Sequence, residues 1–435
     1  MSCKRFYRLF FLLGGKVVTG IDNPEPLEEP KLVNHLSACE DAGADGAIVY
    51  MLSRTDKERD KSIKAIKECV AALNISIIAG GNVERFEDAK KILYAGCDKV
   101  VIDIDDGENF KAVKETAKRF GKDRVVGFTR NVHFASGKYD LYCGHEIDDI
   151  VGTFLFDPKT SVIPSAVLLK DAKIPVIPIL SDEDISKELL TNDAISGFTG
   201  PRVENMGNDI YEYKLGVKEK FGVEVDILEP NFKWSDFKTN DKGLVPVVIQ
   251  SHKTDEVLMV GYMNEESFAL TLKTRKMTYF SRSRQKLWTK GETSGNYQYV
   301  KSLSLDCDND TILARVIQIG VPCHTGNKTC FYKEIVNDNL PSVNPYKVFE
   351  DVYAVVKDRK KHPKENSYTN YLFDKGIDKI LKKLGEEATE IVIAAKNPDP
   401  EEIKYEMADF LYHAMVLMVE RGVTWEDITD ELSKR

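Results

Sequence analysis

The hydrophobic pattern changes its period twice along the 435 residues, and no single ordinary core accommodates all three patterns. From about residue 8 to about 223, short β-type runs alternate with amphipathic helical stretches. Strand candidates are 47–50, 75–79, 99–102 and 124–128, and the segments 32–42, 57–73 and 86–95 between them carry apolar residues at helical spacing. The runs 167–169, 175–177 and 195–198 continue the alternation. Repeated βα units over this length predict a parallel sheet, either doubly wound or closed as an eight-fold barrel. Around 230–241 the pattern shifts. Residues 244–331 are β-rich, with strands expected at 244–250, 257–263, 277–282, 299–305 and 311–319, and with Asn-Glu, Ser-Gly-Asn and Asp-Asn-Asp as turn-formers. A linker at 337–345 precedes a helical tail, with helices expected at 346–360, 375–396, 400–421 and 424–435; Pro400 and Thr424 are suitable start positions.

Bulk properties narrow the function classes. A net charge of −9 argues against a nucleic-acid groove, whereas phosphorylated small molecules can still be held by local cations or metal ions. No apolar run is long enough to span a bilayer, so no membrane role is expected. The N-terminal apolar stretch covers only residues 9–13 and runs into Gly14-Gly15-Lys16-Val17-Val18, which reads as a turn and strand rather than a targeting segment. Eight cysteines, mostly isolated, suggest a reducing compartment, with the cytoplasm as the expected location.

The densest chemistry lies in DCDND and VPCHTGNKTC, between Asp306 and Cys330. Cys307, Cys323 and Cys330 are soft ligands suited to zinc, and three protein ligands leave a fourth position for water. Their spacing is not that of a zinc finger, and on spacing alone they are equally three unrelated core thiols. Asp306, Asp308 and Asp310 alternate around Cys307. On a strand they would share a face and could converge on a hard cation while Cys307 points the other way. An EF-hand is excluded, because Thr311 stands where its glycine belongs and Ile317 where its glutamate belongs. A solvated acidic turn remains open. Upstream, Ser281, Arg282, Ser283 and Arg284, then Trp288, Lys290, Glu292, Thr293 and Ser294 in a glycine-containing stretch, offer cations, hydroxyls and amides suited to a phosphate.

In the tail, Glu386, Glu387 and Glu390 are followed by Glu406 and Asp409. Positions three and four apart share a helical face, so these acids can oppose one another across a helix pair. Apolar neighbours flank them. Carboxylates so crowded repel unless a divalent cation neutralises them, and magnesium also matches pyrophosphate oxygens. Two solvated acidic faces are the alternative.

LVPVVIQ, EVLMVGYMNEES, YFSRSRQKLWTKGETSGN, DCDND and PCHTGNKTCF together resemble phosphoribosyl-AMP cyclohydrolase across 243–332. The resemblance implies zinc on Cys307, Cys323 and Cys330, magnesium on Asp306, Asp308 and Asp310, and proton transfer by His324. It also implies hydrolytic opening of the adenine ring between N1 and C6, and a homodimer whose zinc ligands come from both subunits. EExxE…ExxD is the signature of all-α nucleoside-triphosphate pyrophosphohydrolases. Its surroundings, RKKHPKENSYTNYLFDKGIDKILKKLGEEATEIVIAAKN and YEMADFLYHAMVLM, resemble phosphoribosyl-ATP pyrophosphohydrolase over 346–435. By that match Glu386, Glu387, Glu390, Glu406 and Asp409 hold Mg²⁺, and Ser367, Tyr368, Lys375 and one of Lys382 or Lys383 lie near substrate. A general house-cleaning nucleotide pyrophosphatase is the nearest rival, and a non-catalytic metal-binding scaffold the more distant one.

Gly14-Gly15-Lys16-Val17-Val18, AGADGAIVY and IIAGGNVERFEDAKKILYAGCDKVVID resemble the βα barrel of the histidine-pathway isomerase, with Gly80-Gly81-Asn82 as a phosphate cradle. That family needs two aspartates at strand ends. Phe11 stands where the first belongs, GFTRNVHFASG offers Phe128, Thr129 and Arg130 but no acid for the second, and Ile179-Leu180-Ser181 replaces the second phosphate loop. The expectation is therefore multidomain: a barrel-like domain over 1–228 without isomerase activity, a β-rich α+β cyclohydrolase over 229–340, and an all-α pyrophosphohydrolase over 341–435. The order is similar to fungal multifunctional histidine enzymes, and no histidinol dehydrogenase domain is expected after Arg435.

Overall fold

The computed structural model describes residues 3–105, 107–137, 141–158, 164–181, 185–333, 335–336, 345–397 and 400–433. The chain divides into two compact units, Met1–Lys333 and Glu334–Arg435. The expected boundary at 340/341 and most of the expected linker lie outside the described residues.

The first unit begins with eight parallel strands: β1 (Arg5–Leu13), β2 (Gly46–Met51), β3 (Ser76–Gly81), β4 (Lys99–Asp103), β5 (Val125–Thr129), β6 (Thr153–Phe156), β7 (Val176–Pro178) and β8 (Gly197–Phe198). They pair in the order β7-β6-β5-β4-β3-β2-β1-β8, and a short antiparallel arm, Lys16–Val18, folds back on β1. Parallel bridges Val176↔Ile195 and Ile179↔Thr199 bring the two ends of this sheet together. The run 167–169 continues the alternation as the short helix Ser165–Leu168, not as a strand.

Strand alternation explains why these runs are apolar throughout. Tyr7, Leu9, Ile48, Tyr50, Ile78, Val101, Val126 and Phe128 form one inner cluster. Their neighbours Phe6, Leu12, Ala47, Val49, Ile77, Ala79, Val100 and Ile102 join a second cluster with the helices. Both faces are buried, as a parallel sheet covered by crossover helices requires.

The same unit continues into a four-stranded sheet of β9 (Val245–Ser251), β10 (Val257–Met263), β13 (Gln298–Leu305) and β14 (Ile312–Gln318), ordered β10-β9-β14-β13. Beside it runs a ribbon of β11 (Thr278–Ser281) and β12 (Lys286–Thr289). Val245, Val247, Ile249, Met277, Tyr279, Ala314 and Val316 form its core. One expected turn is a helix instead. Asn264 caps the helix Glu265–Thr274, its side chain accepting the Ser267 N–H at 3.0 Å, so Asn-Glu here starts a helix rather than reversing the chain.

The second unit comprises the helices Pro345–Lys361, Tyr368–Lys375, Ile377–Ala394, Pro400–Arg421 and Trp425–Leu432. The helix expected over 375–396 is interrupted at Gly376, whose φ of 77° no helix interior adopts. Ser367, at the start of Tyr368–Lys375, and Thr424 cap their helices through their hydroxyls. Val356, Leu372, Ile380, Val416 and Val419 make a small core, while Val392, Ile393, Tyr405 and Met407 stay exposed. Among the described residues no helix is long and apolar enough to cross a membrane.

Candidate metal sites

Asp306, Asp308 and Asp310 offer carboxylate oxygens that lie within 4.8 Å of one another. They do so from a turn, not from a strand. β13 ends at Leu305 and β14 starts at Ile312, and Asn309 takes a left-handed φ of 65° between them. Asp306 organises the turn by accepting the Asp310 and Thr311 N–H groups at 3.0 and 3.1 Å on one oxygen, Oδ1. Desolvation raises its pKa, but these amide donors outweigh it and hold the carboxyl below its usual range. The alternation argument therefore found the right residues through the wrong geometry.

Cys323 and Cys330 lie together on the loop after β14, which docks on β10 through Cys330 N–H to Leu258 O at 2.8 Å. A hydrogen bond from the Thr325 hydroxyl, 2.9 Å from Cys323 Sγ, draws the Cys323 thiol down toward its ionised form. Burial pushes the Cys330 thiol up, and the neighbouring Cys323 adds to it. Lys290, nine-tenths buried, is lowered by that burial and sustained by both thiols. Cys307 is exposed beside Asp308, and among the described residues no group of three convergent metal-ligating side chains contains a cysteine. His324 is exposed next to Cys323.

Around these groups, Ser281, Ser283 and Arg284 build the β11–β12 turn, with Arg284 N–H donating to Ser281 Oγ at 3.2 Å. Arg282 stacks its guanidinium 3.8 Å from the Tyr262 ring centroid. Trp288 packs on Tyr279 at 5.0 Å. Glu292 accepts the Thr289 N–H at 3.2 Å, and Thr293 and Ser294 are exposed in the following turn. A Cβ at Gly291 would sit 2.5 Å from Tyr297 N, so this turn needs its glycine for close approach.

In the second unit Glu387, Glu390 and Glu406 bring carboxylate oxygens within 4.8 Å of one another across two helices. Burial raises the Glu387 carboxyl; His413 works against this and Glu390 adds to it. Desolvation and Glu390 likewise raise Glu406. Glu386 lies apart from the trio, 3.0 Å from Lys383 and 3.5 Å from Lys382, so those lysines meet a carboxylate. Asp409 is exposed, and its carbonyl stands 2.8 Å from His413 Nδ1. Tyr368 places its hydroxyl 3.2 Å from His413 Nε2, and Lys375 lies over Tyr371. His413 is a residue that the sequence reading missed. It is buried, it is 3.6 Å from Glu387 Oε1, and its signal was its position four residues after Asp409 on the same helical face.

At the C-terminal ends of the barrel strands, where catalytic groups of such folds sit, Phe11, Tyr50 and Phe128 pack edge to face with centroids 6.2 and 5.1 Å apart. A carboxylate lies among these strand ends, beside Thr129. Asp105 accepts the Thr129 hydroxyl at 2.5 Å and the Arg130 N–H at 2.7 Å. Gly80 has a packing reason of its own, since a Cβ there would meet Val101 O at 2.0 Å.

These three regions coincide with three family matches: Phosphoribosyl-AMP cyclohydrolase over 259–332, Phosphoribosyl-ATP pyrophosphohydrolase over 349–435, and Histidine biosynthesis protein over 12–129. Among curated relatives named "Histidine biosynthesis bifunctional protein HisIE", that of Thermoanaerobacter pseudethanolicus is 51% identical over 209 residues, covering 45% of this chain and 97% of the relative. The Bacillus subtilis protein is 46% identical over 200 residues, covering 46% and 95%. The Thermus thermophilus protein is 46% identical over 196 residues, covering 45% and 90%. The chain thus belongs to the bifunctional HisIE family of histidine biosynthesis, and it is a bifunctional hydrolase with a cyclohydrolase and a pyrophosphohydrolase domain.

Proposed function

We propose that residues 341–435 hydrolyse phosphoribosyl-ATP to phosphoribosyl-AMP and pyrophosphate, that residues 229–340 then open the adenine ring, and that residues 1–228 form a barrel without isomerase activity. The reading is carried by one observation: each matched hydrolase segment holds its own group of three convergent carboxylates. The donor chemistry fits the metals. Convergent carboxylate oxygens suit magnesium, and a lowered thiol beside a buried lysine suits zinc.

In the cyclohydrolase, Cys307, Cys323 and Cys330 would hold zinc, and Asp306, Asp308 and Asp310 magnesium. Zinc so bound supplies a water acidic enough to act as hydroxide near neutral pH. Thr325 and Lys290 favour the thiolate form of the cysteines, the first as a donor and the second as a charge. Arg282 and Arg284, with Ser281, Ser283, Thr293 and Ser294, hold the phosphates, and Trp288 and Glu292 border the base. The water oxygen bonds to C6, the C6–N1 bond breaks, and His324 supplies the proton to N1. Because Cys307 lies outside the Cys323–Cys330 pair, the third thiolate comes from a second copy, making the enzyme a homodimer.

In the pyrophosphohydrolase, Glu386, Glu387, Glu390, Glu406 and Asp409 would hold magnesium, which neutralises the pyrophosphate. His413 orients the buried Glu387 carboxylate, with Tyr368 fixing the far side of the imidazole. Ser367 and Lys375 border the substrate. Water attacks at the α/β junction. The cytoplasm, where thiols stay reduced, suits a site built on free cysteines.

Incubating the full chain with phosphoribosyl-ATP tests both steps, with pyrophosphate release and the purine absorbance change as readouts. Both signals are expected. Absence of pyrophosphate would remove the first activity, and an unchanged absorbance with phosphoribosyl-AMP supplied would remove the second.

A further inference from the structure

A buried charge cluster joins the barrel to the cyclohydrolase sheet, and no step of either hydrolysis uses it. Glu40 ends the helix Leu32–Asp41 of the barrel. One of its oxygens accepts the Asn74 N–H at 2.8 Å, and the other accepts the Tyr299 hydroxyl at 2.8 Å and faces Lys276 Nζ at 3.1 Å. Lys276, 1% exposed, also reaches Asp41 at 2.9 Å and lies 4.5 Å from the Tyr297 ring centroid. Burying an ammonium and a carboxylate is costly, and removing one partner leaves the other uncompensated. Such a pair is poor glue. It does specify one geometry, because both ions must be satisfied at once.

What it specifies lies on the route to the cyclohydrolase site. Lys276 bridges to Tyr299 in antiparallel pairing, and the adjacent Met277 donates to Gln298 O at 2.8 Å. Met277 O accepts the Lys290 N–H at 3.0 Å, and Lys290 stands beside Cys323 and Cys330. Tyr297 backs the Gly291 turn, and its carbonyl accepts the Ile319 N–H at 2.9 Å, just past the strand that leads toward Cys323. One hydrogen-bonded path therefore runs from a barrel helix to the segment holding Lys290, Glu292, Thr293 and Ser294.

We propose that the barrel serves the cyclohydrolase as a positioning platform, with Glu40 as the positioning residue that sets the 290–299 segment through Lys276 and Tyr299. The proposal rests on the ring-opening reading above for its kinetic consequence but not for its structural one. The test uses the full chain carrying Glu40→Gln, which deletes the charge and turns one of the two accepting oxygens into a donor, and Tyr299→Phe, which deletes one hydroxyl. For ring opening of phosphoribosyl-AMP, Glu40→Gln is expected to raise KM on the order of tenfold with a smaller change in kcat, since a misplaced binding loop costs orientation. Pyrophosphate release should be unchanged. Lys276→Met should absorb most of the Glu40→Gln effect in the double variant. Hydrogen exchange of 290–299 should quicken in Glu40→Gln and in Tyr299→Phe while the barrel strands keep their protection. Unchanged KM and unchanged exchange in a folded Glu40→Gln protein would overturn the proposal, and so would additive effects of Glu40 and Lys276. If the parent chain itself opened no ring, the ring-opening reading would fall, and the exchange measurement would still decide this one.

Discussion

The barrel and the helical tail have divided stability and chemistry in opposite ways. The barrel buries both faces of its strands within one chain and packs Phe11, Tyr50 and Phe128 edge to face at its strand ends. The tail has a core of only a few side chains and leaves Val392, Ile393, Tyr405 and Met407 exposed, yet it gathers Glu387, Glu390 and Glu406 at one point. Gathered like charges cost stability, whereas edge-to-face rings add to it. The first arrangement favours packing, and the second keeps three acids in mutual repulsion that protons or a cation would relieve.

The largest expected effect tests whether the hydrolytic chemistry sits where the carboxylates and thiols gather. If Glu387, Glu390 and Glu406 hold the metal as proposed, Glu390→Ala should lower pyrophosphate release by on the order of 10²-fold or more and leave ring opening intact. Cys323→Ala should do the reverse. Loss of both activities in either folded variant would contradict two independent sites.

Next in size is a packing effect confined to the barrel. Gly80→Ala places a methyl group 2.0 Å from Val101 O at a φ of 154°, and the rigid neighbouring strand cannot yield. Destabilisation of about 3 kcal/mol or more is expected in the unit Met1–Lys333, read as a lowered calorimetric transition. An unchanged transition would mean that β3 and β4 are not held at this spacing.

Much of this contrast was legible in the sequence, because period is a local property. The strands 46–51, 76–81, 99–103 and 125–129 announced themselves as apolar runs between amphipathic helices, and Thr424 announced a cap. What failed was local reading of features set by distant partners. Asp306 looked like a strand residue until Asp310 and Thr311 N–H were seen to close on it. Gly376 was hidden inside an unbroken amphipathic pattern. The carboxylate of Asp105 arrives beside Thr129 from another strand and had no motif to betray it, while His413 reaches Glu387 from another helix and left only its spacing from Asp409 as a signal.

A smaller effect separates the two units by metal and pH. Glu387 and Glu406 have carboxyls raised above their usual range, so the stability they contribute is full below the ordinary carboxylate pKa and is lost as pH rises through the raised values. The metal-free tail should therefore melt lower at pH 8 than at pH 5.5. Magnesium at about ten times its dissociation constant should add roughly 1.4 kcal/mol, with a larger shift at pH 8, while the barrel transition stays put. An equal magnesium shift at both pH values would separate the metal from these carboxylates.

The smallest effect turns the glycine comparison around. Gly385 lies within the helix Ile377–Ala394, and a Cβ there would meet nothing within 4 Å. Glycine in an open helix costs backbone entropy that alanine does not, so Gly385→Ala should stabilise the tail by roughly 0.5–1 kcal/mol. The same substitution that breaks the barrel at Gly80 should thus strengthen the tail at Gly385. A lowered tail transition would instead place a partner's surface against that turn of helix, beside Glu386. The exposed Val392 and Ile393 lie two turns further along the same helix, so the sign of this one change separates a helix face open to solvent from one covered by a second copy.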